Sequence, residues 1–221
     1  MFDQATIEMI IKGFGETLYM TVFATLIAYI IGLPLGIILA ITDEKGICPK
    51  KALNTVLGFV VNILRSVPFL ILMVALIPFT RLVVGTTIGP TAAAVPLIIA
   101  SAPFIARLVE GSIMEVDAGV VEAAQSMGAS TWQIITKVLV PEAKSPLIVG
   151  GAIAIATILG YSAMAGFCGG GGLGDIATRY GYHRQETDIM LVCIIVLVII
   201  VQLFQEIGYR VAKKTDKKVN S

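Results

Sequence analysis

TLYMTVFATLIAYIIGLPLGIILAI, residues Thr17–Ile41, contains no charged side chain from one end to the other. As a helix rising 1.5 Å per residue it would measure about 37 Å, enough to cross a hydrocarbon layer about 30 Å thick with some tilt. Thr86–Ala106 and Leu147–Phe167 are also uncharged and long enough, and Ile189–Gln205 is slightly shorter and is completed by its flanks. Thr55–Thr80 has the length but is interrupted by Arg65. Counting it, the pattern predicts an all-α polytopic membrane protein with five transmembrane helices.

Composition points the same way. Of 221 residues 57% are hydrophobic and 14% charged, with a mean hydropathy of +0.91, whereas soluble domains are about 45–50% apolar and about 25% charged. A formal net charge of +1 gives no sign of nucleic-acid binding. Met1-Phe2-Asp3-Gln4-Ala5 lacks the basic leader of a secretory signal, and the first apolar segment is too long for one. Cys48, Cys168 and Cys193 fall in an inner loop, an outer loop and a span, which leaves no pair for a disulfide and no cluster for a metal.

Lys and Arg placement sets the expected orientation. With the N-terminus outside and the C-terminus cytoplasmic, eleven of the sixteen basic residues lie inside: Lys45, Lys50 and Lys51; Arg107, Lys137 and Lys144; and Arg210, Lys213, Lys214, Lys217 and Lys218. Four lie outside (Lys12, Arg81, Arg179, Arg184), and Arg65 is intramembrane or interfacial. The spans are also interrupted by Gly32, Pro34, Gly36, Pro68, Pro78, Pro96 and Pro103. Such positions are either tolerated kinks or the broken, closely packed helices of a bundle around a pathway, and the Ala92-Ala93-Ala94 run permits close approach.

The stretch from Arg107 to Ser145, between the third and fourth spans, is too long for a simple connection. Val120–Met127 reads as a short helix with Asp117 near its start, and Gly128 stands where a left-handed C-cap belongs. Ser130-Thr131-Trp132-Gln133 has capping-box spacing, and a second helix is expected to run to Val140 and stop at Pro141. Glu122-Ala123-Ala124 offers small side chains and one carboxylate to a partner surface; packing against the chain's own bundle is the alternative use.

Glu122-Ala123-Ala124, three residues, Gly128, nine residues, then Val138-x-Val140-Pro141 resembles the EAA motif of ATP-binding-cassette importer permeases, with valines at its two aliphatic positions. The strings Leu64-Arg65-Ser66-Val67-Pro68-Phe69, Ile77-Pro78-Phe79-Thr80-Arg81, Ala102-Pro103-Phe104-Ile105-Ala106-Arg107, Gly160-Tyr161-Ser162-Ala163-Met164 and Gly171-Gly172-Leu173-Gly174 are similar to the methionine-import permeases in particular. The resemblance implies a type I permease fold over residues 13–210, with 107–145 as its coupling segment and 211–221 as a basic cytoplasmic tail. Glu122, Ala123, Ala124 and Gly128 would then be the corner that meets an ATPase, and Pro141 the end of the second helix. The partners it implies are a second copy of the chain, two ATPase subunits holding ATP and magnesium, an external substrate-binding lipoprotein and membrane lipid. No metal or other cofactor is expected on this chain. The implied task is import of D- and L-methionine across a bacterial cytoplasmic membrane; another amino acid or a small peptide is the alternative.

Tyr161, Ser162 and Met164, near the outer end of the fourth span, are the expected gate, a flexible thioether suiting an opening that must reclose. Ordinary helix packing is the competing use of Met164. Arg65 is either a structural group near the inner interface, with Ser66 capping the helix that Pro68 begins, or a direct substrate contact. Gly169–Gly174 formally satisfies G-x-G-x-x-G, but it follows a span instead of a strand, and is expected as a tight turn. No G-x-x-x-x-G-K-[ST] string occurs, so ATP hydrolysis is expected elsewhere. A hydrolase would need Ser66 or Ser162 beside His183, the single histidine, which has no matched acid. A secondary carrier would need acidic groups within the spans, and these are missing.

Overall fold

The computed structural model describes residues 3–215, and these are almost entirely helical, with no strand among them. The order is α1 (Gln4–Thr42), α2 (Lys51–Ser66), α3 (Phe69–Ala75), α4 (Ile77–Val84), α5 (Pro90–Met114), α6 (Ala118–Ser126), α7 (Thr131–Ile134), α8 (Val140–Glu142), α9 (Lys144–Ala165), α10 (Gly172–Ile176) and α11 (Thr187–Thr215). Four helices, α1, α5, α9 and α11, are long and apolar enough to cross a membrane, and α2 with α3 makes a fifth if the broken pair is one span.

α5 runs on to Met114 and α11 to Thr215, past the expected Ala106 and Gln205, and two further boundaries differ from expectation for physical reasons. α1 begins at Gln4, well before Thr17, and is 39 residues long. Its charged Glu8, Lys12 and Glu16 disguise a segment whose Met9, Ile10 and Leu18 pack on a buried cluster of Leu159, Leu173, Ile176, Ile189, Cys193 and Ile200. The span expected over Thr55–Thr80 is interrupted instead of continuous. Pro68, with φ −57° and ψ 133°, separates α2 from α3, as a proline disfavours helical backbone at the residue before it. A second break at Leu76 separates α3 from α4.

By packing, the chain divides into two compact units, to which α1, α5, α9 and α11 all contribute. One holds residues up to 28, 67–101 and 154–205; the other holds 29–66, 102–153 and those from 206 onward. The first is built on the cluster just described. In the second, Leu39, Val61 and Ala106 are buried together, with Leu35 and Leu57 against them. The seam between α1 and α5 in that unit is backbone on backbone. A Cβ on Gly32 would lie 2.8 Å from the Ala102 carbonyl oxygen, and one on Gly36 would lie 2.4 Å from that of Ala106. Gly208 of α11 meets Ala152 of α9 with similar closeness, a Cβ there falling 2.4 Å from the alanine methyl. The basic tail expected from residue 211 is helical through Thr215, while Lys217 and Lys218 lie outside the described residues.

Small residues at such seams allow the close packing that holds apolar helices together in lipid. Gly36→Ala should therefore destabilise by roughly 1–3 kcal/mol through overpacking, read as a lower melting temperature in detergent. Gly15→Ala, with nothing within 4 Å of the added carbon, should leave it unchanged or slightly higher.

Candidate functional site

The segment between α5 and α9 forms a tight helical corner. Asp117 is the N-cap of α6, its Oδ1 accepting from the Gly119 N–H at 2.7 Å. At the other end Gly128 adopts φ +76°. Its N–H donates to the Gln125 carbonyl at 2.9 Å, and the Ala129 N–H donates to that of Ala124 at 3.1 Å, the paired bonds of a Schellman cap. Ser130 then opens α7 with a capping box: the Gln133 N–H donates to Ser130 Oγ and the Ser130 N–H donates to Gln133 Oε1 at 2.8 Å. α6 packs back on Ile135–Leu139, so the corner is closed by its own side chains.

Pro141 does not end the second helix. Ile135–Leu139 winds as a π turn, the Val140 N–H reaching the Ile135 carbonyl, and Pro141 sits in the first turn of α8, which runs on to Glu142. A proline needs no donor in a first helical turn, and the wider π turn before it accommodates its ring. The boundary falls at Ala143, with φ −78° and ψ 4°.

The corner presents a mixed surface. Ala124 is buried, whereas Glu122 and Ala123 are exposed, and Glu122 has no hydrogen-bond or ionic partner among the described residues. Met127 is 81% and Trp132 71% exposed, large apolar groups in the same corner as a free carboxylate. Glu122 and Gln125 also border a cleft of about 350 Å³ formed with Ala40 and Ile41 of α1 and Ile113 and Met114 of α5.

A second constellation surrounds the end of α9. Tyr161 stacks on Phe69 of α3, ring centroids 4.7 Å apart and planes 6° from parallel. Met164 is exposed. Ser162 departs from expectation: it is 1% exposed, and its hydroxyl donates to the Leu159 carbonyl at 2.8 Å, so it faces its own helix and lines no path. The turn is backed by α10, where a Cβ on Gly174 would lie 2.2 Å from the Ala163 carbonyl oxygen. The glycine-rich stretch is a fold-back and not an open loop. Gly169, Gly171 and Gly172 all have φ between +76° and +79°, the Gly172 N–H donates to Glu16 Oε2 at 2.8 Å, and the Leu173 N–H donates to Thr17 Oγ1 at 2.9 Å.

Of the expected structural group, Pro68 occupies the N-cap position of α3, but Ser66 does not cap that helix. Its hydroxyl donates back to the Asn62 carbonyl at 2.8 Å, because α2 continues through Ser66. The Arg65 guanidinium lies 5.9 Å from the centroid of the Phe104 ring. Missed altogether was Arg107, counted only as an inner-face cation. It sits about two turns inside α5, bonded to Glu110, Gly58 and Asn62. Glu110, one helical turn on, was the available signal.

A family model, the inner membrane component of binding-protein-dependent transport systems, matches residues 32–218. The chain belongs to this family. Its relatives include the probable D-methionine transport system permease protein MetI of Vibrio cholerae, 50% identical over 211 residues that cover 96% of this chain and 94% of that one. The methionine import system permease protein MetP of Bacillus subtilis is 47% identical over 203 residues, covering 92% of this chain and 91% of the relative. Among solved structures, an inward-facing conformation of the MetNI methionine ABC transporter superposes with a TM-score of 0.96 at 42% identity, covering 98% of this chain and 100% of that one. An amino acid ABC transporter aligns at a TM-score of 0.77 with 20% identity over 97% of this chain and 99% of that one, a likeness of fold alone. The permease thus has the type I ABC importer fold and is a multi-pass protein of the cytoplasmic membrane.

At Gly128 a β-branched side chain would meet left-handed backbone at a strain of roughly 1–2 kcal/mol, while asparagine tolerates that region. Gly128→Val should lower the yield of any complex assembled through the corner, and Gly128→Asn should not, as read by size-exclusion chromatography of the purified assembly.

Proposed function

We propose that the permease is the membrane subunit of an ATP-driven importer of D- and L-methionine, working as a pair of identical chains with two separate ATPase subunits and an external binding lipoprotein. The observation that carries the reading is the α6–α7 corner: a doubly capped bend whose Glu122, Met127 and Trp132 are exposed, in a chain similar along nearly its whole length to methionine permeases. An exposed apolar pair beside an unpaired carboxylate is the surface of a protein contact. The corner faces the cytosol in this reading, with the N-terminus outside, in keeping with the bias of Lys and Arg.

ATP and magnesium reside on the ATPase, and the permease converts its motion into movement of helices. A bend with a Schellman cap on one side and a capping box on the other transmits displacement without absorbing it, since backbone groups at both helix ends are held by the two caps. Glu122, Ala123, Ala124 and Gly128 form the contact, with the alanines letting the partner approach. Residues 107–145 are the coupling segment of a permease domain spanning 13–210. Pro141 lies in the helical stretch that joins the corner to α9.

Tyr161 and Met164 line the gate. The uncharged spans give an apolar path suited to a neutral, unbranched side chain, and Met164 supplies a flexible thioether where the path must reclose. Arg65 is structural, its guanidinium against Phe104.

Glu122→Arg should reduce co-purification of the ATPase subunit by at least about tenfold, equivalent to about 1.4 kcal/mol, and abolish uptake of labelled methionine in a strain lacking its own importer. Retention of the ATPase would refute the corner as the contact. Met164→Ala should raise ATP hydrolysis in the absence of methionine, measured on the reconstituted complex; unchanged hydrolysis and unchanged uptake together would remove Met164 from the gate.

A further inference from the structure

Within α5, Arg107 is 24% exposed and its ion-pair partner Glu110 12% exposed. Arg107 Nη1 donates to Glu110 Oε2 at 2.6 Å, and Nη2 donates both to the Gly58 carbonyl and to Asn62 Oδ1, each at 3.0 Å. The third guanidinium nitrogen, Nε, is buried without a partner. A charged pair this withdrawn from water is expensive, and apolar side chains of similar volume hold helices together at lower desolvation cost. Adhesion between α2 and α5 is already supplied by Val61 and Ala106. Apolar contact is non-directional, however, and lets helices slide. Two acceptors one turn apart on α2, gripped by one guanidinium nitrogen, fix the axial register as well, because hydrogen bonds weaken steeply with misalignment.

That register bears on the corner. From Arg107, α5 continues to Met114 and enters the corner helix α6 at Ala118. We infer that Arg107 is the positioning residue that makes α2 move in register with α5, so that displacement of the corner is carried by both helices together. This rests on reading the corner as the ATPase contact. Gly58 belongs to the device, since a Cβ there would lie 3.2 Å from Arg107 Nη2.

The test uses the full complex of permease, ATPase and binding protein in liposomes, with methionine uptake and ATP hydrolysis followed in the same vesicles. Arg107→Lys, Gly58→Ala and Asn62→Ala should each assemble and hydrolyse ATP within about twofold of wild type, while methionine moved per ATP falls about tenfold. Asn62→Asp, which keeps an acceptor for the guanidinium, should restore the ratio. A ratio unchanged in all three variants would overturn the inference, as would loss of assembly in all three, which would make the network a folding element only. Failure of the underlying corner reading is seen separately, as ATPase retained by Glu122→Arg.

Discussion

Between Gly36 and Ala106 there is no room for a side chain, and the compact unit that holds them is arranged around that closeness. In lipid, helices gain little from hiding apolar surface from one another, so their association depends on packing and on hydrogen bonds made at short range. The Gly32 and Gly36 positions bring the α1 backbone onto the carbonyls of Ala102 and Ala106. With α5 held this way, its Arg107 can reach α2, and its C-terminal end can deliver the chain into α6 from a fixed point. Asn54 reinforces the same unit by donating to the Leu39 carbonyl and to Thr42 Oγ1 at the end of α1.

At the glycine-rich turn, where backbone leaves regular helix, side chains from a distant segment take up what is freed. Glu16 and Thr17 of α1 accept the Gly172 and Leu173 N–H groups 156 residues away. Water is scarce at such a site, so the exposed ends of a short helix must find protein partners. The glycines there are required by shape: three have positive φ, and Gly166 and Gly174 pack against backbone that a Cβ would strike. Arg179 and Asp175, and the stacking of Arg184 on Tyr180, then finish the exposed side of the same segment.

What could be read in the sequence was the chemistry that is local. Asp117, Gly128 and the Ser130–Gln133 box lie within a few residues of the groups they satisfy, and each is found where spacing placed it. The four uninterrupted spans were equally legible, because apolar length is itself the signal. Elements whose reason is tertiary stayed hidden. The first turns of α1 carry charges and look like a tail until Met9 and Ile10 are seen against the buried cluster that includes Leu173 and Ile176. Ser66 could be given a capping role because Pro68 announces a break, yet nothing local says whether the serine stands before or after it; its hydroxyl serves the helix that is ending. Pro141 misled in the same way, since a π turn upstream, invisible in residue types, lets the helix absorb it.

The two irregular turns on either side of α9 hold that helix at both ends. Before it, the Ala143 N–H donates to Leu139 and the Leu147 N–H to Ala143, each at 2.9 Å, so hydrogen bonding from the corner into α9 is carried across the boundary. After it, the Gly170 N–H donates to Ala165 and the Gly89 N–H to the Gly169 carbonyl, at 3.0 and 2.9 Å, which ties the far end to the start of α5. A helix joined at both ends by hydrogen bonds cannot dissipate a push by fraying. The compliance must instead sit in groups without fixed partners along its length, and Met164 is exposed there while the Gly160 position is open to 4 Å. On the proposal that Tyr161 and Met164 line a gate, held termini and an open surface beside the Tyr161 stack are the properties it requires.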